Sequence, residues 1–250
     1  MFNVAGKHAL VTGAATGIGQ AIAVRLAEAG CTVAITDKPE VELDETADLC
    51  RRAGGAVTTR ALDVRDLGQI ESATAELLSE LGRIDILVNN AGINRPTPTQ
   101  DVDRDNWDDH FNTNVRGGFF CARALLPTMA RNGFGRVIFI SSQSGLVGIR
   151  GQSVYCATKG ALINLARALG VEWAEFGITV NTVAPTFIET NLTRDRLKDP
   201  DFRRLVLAKI PKGELAEVDD VACAVVYLAS EQAGMVNCAT VPVDGGWTAW

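Results

Sequence analysis

The sequence feature that most constrains the fold is an apolar run that leads through a glycine-rich turn into an alanine-rich, helix-like stretch. Residues 7–11 predict a buried β-strand, and Thr12-Gly13-Ala14-Ala15-Thr16-Gly17-Ile18-Gly19 follows at once. In such a unit the first glycine permits the tight turn, the second lets the backbone approach a pyrophosphate, and the third allows close packing of helix on strand. The order indicates a dinucleotide-binding unit, although a glycine string alone also fits a turn that only needs positive φ.

Apolar runs typical of β-strands alternate with helix-like stretches along the whole chain. We predict strands at 7–12, 31–37, 57–62, 84–89, 135–141, 178–183 and 239–243. This alternation predicts a parallel sheet with helices on both faces. The 250 residues, 47% of them hydrophobic, contain no repeat or linker. The sequence therefore predicts one α/β domain over 1–250, a Rossmann-type, doubly wound, seven-stranded parallel sheet.

The second apolar run ends in a carboxylate, Asp37. In dinucleotide-binding units an acidic residue about 20 positions past the glycines accepts hydrogen bonds from the ribose hydroxyls and repels a 2′-phosphate. Asp37 therefore favours NAD over NADP, although the positive charge of Lys38 next to it could partly offset the repulsion of a 2′-phosphate. The alternative is a turn residue at the strand end, which Lys38-Pro39 also fits.

Tyr155 and Lys159 stand four residues apart in a helix-like stretch, so a phenol and an ammonium share one helix face. A cation beside a phenol lowers its pKa from the usual value of about 10, which would allow proton exchange near neutrality. Ser142 follows the apolar run 135–141 and brings a hydroxyl to the sheet edge where ligands bind. Alone, the pair also fits a solvated helix face, and Ser142 an ordinary strand-end hydroxyl.

With these segments in place, the chain resembles the classical short-chain dehydrogenase/reductase family over essentially its whole length. The motifs appear in the family's order: the glycine turn at 12–19, Asp63-Val64, Asn89-Asn90-Ala91-Gly92, Asn114, Ser142 with Tyr155 and Lys159, the stretch 181–185, and Val243-Asp244-Gly245-Gly246. The resemblance implies a catalytic set of Asn114, Ser142, Tyr155 and Lys159.

The physical roles of this set follow from hydride chemistry. Hydride leaves an alcohol carbon only if the hydroxyl proton departs too, which makes Tyr155 the expected base. Ser142 would steady the charge that develops on the substrate oxygen. Lys159 would lower the pKa of Tyr155 and bind the nicotinamide ribose, and Asn114 would hold a water that links Lys159 to solvent. Asn114 could instead simply cap or bend a helix.

The resemblance also implies cofactor contacts, with Asp63 and Val64 at the adenine, Asn90 beside the adenosine ribose and Thr190 at the nicotinamide carboxamide. The predicted cofactor-binding residues are Gly13, Thr16, Gly17, Ile18, Gly19, Asp37, Asp63, Val64, Asn90, Ala91, Gly92, Tyr155, Lys159, Pro185, Thr186, Ile188 and Thr190. A homotetramer is implied as well, with the Tyr155 helix and the last strand at interfaces. Trp247 and Trp250 fit a buried tail in such an assembly or in a monomer.

The sequences 185–190 and 244–250 are similar to those of sugar, sugar-acid and polyol dehydrogenases of the family. Asn94, Arg95, Gln143, Gln152 and Glu189 are the predicted substrate-binding residues, because they could hydrogen-bond several hydroxyls, and Arg95 would favour an acid if it reached the site. The charged segment 186–213 follows the sixth strand and is expected to be a substrate lid, or a solvated helical insertion.

We therefore expect hydride transfer between NAD and a secondary alcohol or ketone of a polyol, sugar or sugar acid. An alternative with the same chemistry is a 3-oxoacyl thioester reductase. Such reductases usually prefer NADPH, and Asp37 argues against that preference here. A second alternative is a non-catalytic dinucleotide-binding sensor or scaffold, which would have no need of a tuned phenol.

Three positions depart from the usual family pattern. Thr186 stands where Pro185 is commonly followed by glycine, Cys238 occupies a usual glycine before the last strand, and Gln143 follows Ser142. The first two should alter loop geometry and backbone contacts, and Gln143 could add polarity on the substrate side.

Composition argues against several other functions. The net charge is −6 and no basic patch suggests nucleic acid or a membrane surface. No run of about 18 apolar residues occurs, and the first residues lack the basic and apolar regions of a signal peptide, so we expect a cytoplasmic protein. Six cysteines without framework spacing suggest buried, reduced thiols, with Cys156 more plausible as a packing residue than as a reactive thiol. His8 and His110 lack the companions of a triad or metal site, so no metal is expected.

Overall fold

A parallel seven-stranded sheet forms the centre of the molecule in this computed structural model, which describes residues 2–191 and 193–249. The strands are β1 His8–Thr12, β2 Thr32–Asp37, β3 Val57–Ala61, β4 Ile86–Asn89, β5 Gly135–Ile140, β6 Ile178–Pro185 and β7 Thr240–Val243, in the order β3-β2-β1-β4-β5-β6-β7. Every neighbouring pair is parallel. The predicted sheet is confirmed, and each predicted strand boundary lies within two residues of the observed one.

Helices connect the strands and cover both faces of the sheet. Within the described residues they are α1 Gly17–Glu28, α2 Asp44–Arg52, α3 Leu67–Leu81, α4 Arg104–Phe111, α5 Gly118–Asn132, α6 Ser153–Trp173, α7 Arg194–Leu197, α8 Pro200–Leu207 and α9 Val218–Ala229. A π-helical segment, Asn112–Gly117, joins α4 to α5 and was not predicted. No helix in the described ranges is long and apolar enough to cross a membrane.

Side chains alternate between two apolar cores along each central strand, as the pleat requires. On β1, Ala9 and Val11 pack into one core with α1, α2 and α9, whereas Leu10 packs into the other with α3, α5 and α6. Phe139 on β5 is fully buried in the second core. Because both faces are covered, the strands read as continuous apolar runs, which explains why they could be located in the sequence.

The strand order reverses between β1 and β4, which pair directly through Ala9 with Ile86 and Val11 with Val88. The connection after β1 therefore leads to one side of the sheet and the connection after β4 to the other. A crevice opens at such a point beyond the carboxyl ends of the strands. The glycine turn after β1 and the Asn89-Asn90-Ala91-Gly92 segment at the end of β4 meet there.

Part of the predicted lid segment packs into a third, smaller apolar cluster beyond the sheet. Leu197, Val206, Ile210 and Trp247 are buried together, so the described part of the carboxyl-terminal segment anchors α7 and α8. Trp250 and position 192 of the lid segment lie outside the described residues. The motion expected of a lid stays a prediction.

Candidate active site

A cavity of about 400 Å³ lies at the carboxyl ends of the strands, and it gathers residues that are far apart in the sequence. All predicted cofactor-binding residues line it, from Gly13 in the turn after β1 to Thr190 beyond β6. We refer to this space as the central cavity. Its lining also includes Lys38, Val41, Leu62, Ile93, Thr113, Ile140, Ser141, Asn191 and Thr193, which were not predicted and which flank the motifs that were.

The glycine turn at the amino end of α1 is closely packed. Gly13 has a φ of +65°, and a Cβ added there would lie 2.8 Å from Ala91 Cα. A Cβ on Gly19 would overlap the Gly13 carbonyl oxygen and lie 2.5 Å from Asn90 Nδ2. The two glycines therefore let the turn and the start of α1 pack closely against the segment after β4. The described residues fit a pyrophosphate at this helix end.

Asn90 ties the glycine turn to the end of β4. Its Nδ2 donates to the carbonyl oxygens of Thr12 at 3.0 Å and Gly13 at 2.8 Å. In return, Thr12 Oγ1 accepts the backbone N–H of Asn90 at 3.1 Å and that of Ala91 at 3.2 Å. Four hydrogen bonds therefore fix the floor of the central cavity across the switch point.

Acidic groups stand at the end of the cavity where the adenosine was expected. The Asp37 carboxylate accepts the backbone N–H of Ala15 at 3.1 Å through one oxygen and that of Lys38 at 2.9 Å through the other. Asp63 pairs with the Arg65 guanidinium at 2.6 Å, which holds the pKa of the Asp63 carboxyl below its usual value. Lys38 Nζ lies 4.0 Å from a Glu40 carboxylate oxygen, so its charge is shared with a neighbour.

Ser142, Tyr155 and Lys159 meet at the other end of the central cavity, where all three line its wall. Ser142 follows β5 directly, and Tyr155 and Lys159 lie in the first two turns of α6. The helix reaches this position because a Cβ on Gly145 would lie 2.7 Å from the Lys159 carbonyl oxygen, so only glycine admits so close an approach. The Ser141 hydroxyl donates to that carbonyl oxygen at 2.8 Å and fixes the contact.

The expected lowering of the Tyr155 pKa by Lys159 is not found in the structure. Burial raises the pKa of Tyr155 to about 12, and a hydrogen bond with Ser142 acts in the opposite direction. Burial also lowers the pKa of Lys159 to about 8. Lys159 Nζ donates to the Ile140 carbonyl oxygen at 2.8 Å, so its hydrogen bond goes to the strand. Desolvation is therefore the largest influence on the pKa of this phenol.

Asn114 lies in the π-helical segment and does not line the central cavity. Its Oδ1 accepts the Ile93 N–H at 2.8 Å, and its Nδ2 donates to the Ile93 carbonyl oxygen at 3.0 Å and to Thr158 Oγ1 at 3.1 Å. The side chain therefore holds the chain after β4 against α6. A water path from Lys159 through Asn114 stays a prediction.

The predicted substrate residues divide into two groups. Asn94 lines the central cavity and donates through Nδ2 to Gln152 Oε1 at 3.2 Å. Gln152 and Gln143 are buried behind the cavity wall, and Gln143 Oε1 has no hydrogen-bond partner in the described part of the chain.

Arg95 and Glu189 belong to the second group, because the structure directs both away from the cavity. The Arg95 guanidinium pairs with Asp109 at 2.6 Å, and its side chain is 55% exposed. Glu189 lies 3.5 Å from Arg203 on the surface. These ionic partners, which sequence spacing does not reveal, hold each side chain outside.

The unusual Thr186 and Cys238 produce different local effects. Thr186 lines the cavity, and its buried hydroxyl has no hydrogen-bond partner among residues 2–191 and 193–249. Cys238 has a φ of +60°, and it is the only non-glycine residue with positive φ in those ranges. The backbone at 238 thus keeps the conformation that favours glycine, and the cysteine side chain packs beside Gly170.

The cysteines are free thiols in varied surroundings. Cys31, Cys50 and Cys121 are buried, and burial raises the pKa of each thiol. Cys223 is exposed, contrary to the expectation of buried thiols, while Cys156 beside Tyr155 is half-buried. In the two described ranges, no three His, Cys, Asp or Glu side chains cluster as metal ligands would.

A glycine turn and a Ser-Tyr-Lys group at the switch point of a parallel sheet define a dinucleotide-dependent oxidoreductase of the Rossmann class. A family model described as Enoyl-(Acyl carrier protein) reductase matches residues 13–248. The chain therefore belongs to the short-chain dehydrogenase/reductase family, oxidoreductases that act on alcohol and ketone groups with a nicotinamide dinucleotide.

Curated relatives are similar over nearly the whole chain. The chain is 41% identical over 244 residues to the 3-oxoacyl-[acyl-carrier-protein] reductase FabG of Escherichia coli (strain K12), covering 98% of each protein. It is 36% identical over 249 residues to the 2-dehydro-3-deoxy-D-gluconate 5-dehydrogenase of Dickeya dadantii, covering 99% of this chain and 98% of that one.

A solved structure from Beutenbergia cavernae superposes with a TM-score of 0.95 at 35% identity, covering 100% of this chain and 99% of that one. That protein carries the provisional name NAD(P)-dependent gluconate 5-dehydrogenase, and its crystal contains NADP at low occupancy.

Proposed function

We propose that this protein transfers hydride between NAD and a secondary alcohol or ketone of a polyol, sugar or sugar acid. The observation that carries the proposal is the meeting of Ser142, Tyr155 and Lys159 in one cavity with the glycine turn and Asp37. The cavity thus contains both a side-chain group suited to proton transfer and a glycine turn suited to binding a dinucleotide.

The oxidised nicotinamide supplies the hydride acceptor when NAD is bound. As the alcohol carbon loses its hydride, the ionised phenolate form of Tyr155 accepts the hydroxyl proton at Oη, and the substrate becomes a ketone. Ser142 donates a hydrogen bond to the same substrate oxygen and steadies its charge. The positive charge of a bound oxidised nicotinamide would lower the pKa of Tyr155 from its buried value, and Lys159 would hold the nicotinamide ribose. In the reverse direction Tyr155 returns the proton to the ketone oxygen.

NAD is the proposed cofactor because the Asp37 carboxylate is held in place by two backbone amides at the cavity wall. It can accept bonds from ribose hydroxyls and repels a 2′-phosphate. Lys38 offsets little of this repulsion, since it is surface-exposed and close to Glu40. We expect kcat/KM to favour NAD over NADP about tenfold or more, which equals about 1.4 kcal/mol of differential binding. Equal values for the two cofactors would contradict the assignment.

A hydroxyl-rich substrate is supported by the amide of Asn94, which lines the cavity and is held by Gln152. Similarity to gluconate and deoxygluconate dehydrogenases points the same way. The test is NADH formation from D-gluconate, D-sorbitol and D-glucose, with propan-2-ol as the alcohol that lacks further hydroxyls. Similar rates on all four would contradict this substrate class.

A 3-oxoacyl thioester reductase is the second candidate, favoured by 41% identity to a FabG protein. Turnover of an acetoacetyl thioester with NADPH and NADH separates the two proposals. Strong NADPH preference on the thioester would replace the main proposal. A non-catalytic sensor would be supported instead if Tyr155→Phe left every turnover unchanged.

We further propose a cytoplasmic homotetramer, with 186–213 acting as a substrate lid. Val171 on α6 is 76% exposed and Phe176 just beyond it is 41% exposed, which leaves apolar side chains for a subunit contact. Free thiols suit a reducing compartment. Sedimentation at four times the 26.6 kDa chain mass is expected, and a 26.6 kDa species would contradict the tetramer.

A further inference from the structure

One face of α4 and the following π-helical segment carries three polar side chains that the proposed chemistry does not use as a group. Asn106, His110 and Asn114 stand four residues apart, so they lie in a row on that face. They bond in turn to alternate residues of the chain after β4, which we call the 93–97 loop. Asn114 holds Ile93 through two bonds, His110 holds Arg95, and Asn106 Nδ2 donates to Thr97 Oγ1 at 3.0 Å.

His110 is the middle member of this row and is only 1% exposed. Its Nε2 accepts the backbone N–H of Arg95 at 3.1 Å, and its Nδ1 lies 2.7 Å from the Asn106 carbonyl oxygen. A carbonyl oxygen can only accept and an amide N–H can only donate. Both bonds therefore require a neutral imidazole with its proton on Nδ1.

Asn94 lies between the anchored residues Ile93 and Arg95 and lines the central cavity. Its Nδ2 is engaged by Gln152, whereas its Oδ1 is buried and has no hydrogen-bond partner in the described residues. Gln152 immediately precedes α6, the helix that carries Tyr155. The amide of Asn94 is therefore oriented by Gln152, and its unpaired Oδ1 belongs to a residue that lines the same cavity as Tyr155.

We propose that His110 is a positioning residue that fixes the 93–97 loop, so that Asn94 Oδ1 accepts a hydrogen bond from a second hydroxyl of the substrate. A buried carbonyl oxygen favours a hydroxyl donor, because a substrate without one leaves the oxygen unpaired. Asn94 is thereby a specificity-determining residue for hydroxyl-bearing alcohols. The Asn94 part rests on the proposed function, whereas the His110 part concerns the loop itself.

The test compares His110→Leu with His110→Gln, because glutamine can still offer an oxygen to the Arg95 N–H while leucine cannot. In His110→Leu, amide hydrogen exchange at Arg95 should rise about tenfold or more, as expected when a buried bond is lost. KM for D-gluconate with NAD should rise more than kcat falls, and affinity for NADH should stay unchanged. His110→Gln should restore protection and KM toward wild type.

Asn94→Ala provides the second arm. It should raise KM for D-gluconate about tenfold and leave exchange at Arg95 unchanged. Wild-type exchange at Arg95 in His110→Leu would overturn the positioning role, as would His110→Gln behaving like leucine. An unchanged KM in Asn94→Ala would overturn the specificity role. If wild type fails on D-gluconate, D-sorbitol and D-glucose alike, the proposed substrate class and the Asn94 part fall, whereas the exchange measurement still decides the role of His110.

Discussion

Replacing Gly19 with alanine tests whether the close approach of α1 to the glycine turn creates the dinucleotide site. The new Cβ would overlap the Gly13 carbonyl oxygen and lie 2.5 Å from Asn90 Nδ2. Both obstacles are held in place, because Asn90 Nδ2 donates to Gly13 O at 2.8 Å. Overpacking costs about 1–3 kcal/mol, and loss of that hydrogen bond about 1 kcal/mol. The better helix propensity of alanine returns up to about 1 kcal/mol.

The expected net loss in the free energy of unfolding is therefore about 1–3 kcal/mol, measured by urea denaturation. Because the turn must shift, affinity for NADH should fall at least about tenfold in calorimetric titration. Gly160→Ala is the matched control, since it also lies inside a helix and its Cβ would lie at an ordinary 3.5 Å from Gly145 O. It should be neutral or stabilising. Wild-type NADH affinity in Gly19→Ala would refute the reasoning.

Three further predictions concern charge and backbone strain. Asp37→Ser should shift the ratio of kcat/KM for NADP over NAD upward about tenfold, and an unchanged ratio would show that Asp37 does not select the cofactor. Burial lowers the pKa of Lys159 from 10.5 to about 8 in the folded protein. Above about pH 8 the unfolded state therefore binds more protons at this lysine than the folded state does, and the free energy of unfolding rises with pH. Between about pH 8 and pH 10, the free energy of unfolding of Lys159→Met, measured by urea denaturation, should rise about 2 kcal/mol less than that of wild type. Parallel plots of unfolding free energy against pH for the two proteins would contradict this prediction. Because Cys238 has a positive φ, Cys238→Val should lower the free energy of unfolding by about 1 kcal/mol or more, whereas Cys238→Gly should not. Equal losses in both variants would exclude backbone strain as the cause.

The sheet and much of the central cavity could be predicted because the responsible signals are local. Strands buried on both faces read as apolar runs, and β1 with its glycine turn is contiguous in sequence. The carboxyl ends of parallel strands meet at one edge, so Ser142 and Asp37 could be placed there without knowing any contact.

What could not be predicted depends on which partner a side chain finds in three dimensions. Arg95 carries a charge that suits an acid, but Asp109 holds it outside the cavity. Nothing in the sequence indicates that α4 continues into a π-helical segment, which directs Asn114 to Ile93. The raised pKa of Tyr155 likewise reflects burial, which spacing to a lysine does not report.

The rate of NADH formation by wild type and Tyr155→Phe, measured side by side on D-gluconate, D-sorbitol, D-glucose and propan-2-ol, tests the central claim most directly. The account predicts NAD-dependent turnover of a polyhydroxylated compound by wild type and a loss of about 10²–10⁴ in kcat for Tyr155→Phe, with NADH affinity preserved. Equal turnover by the two proteins would contradict the assignment of Tyr155 as the group that exchanges the proton.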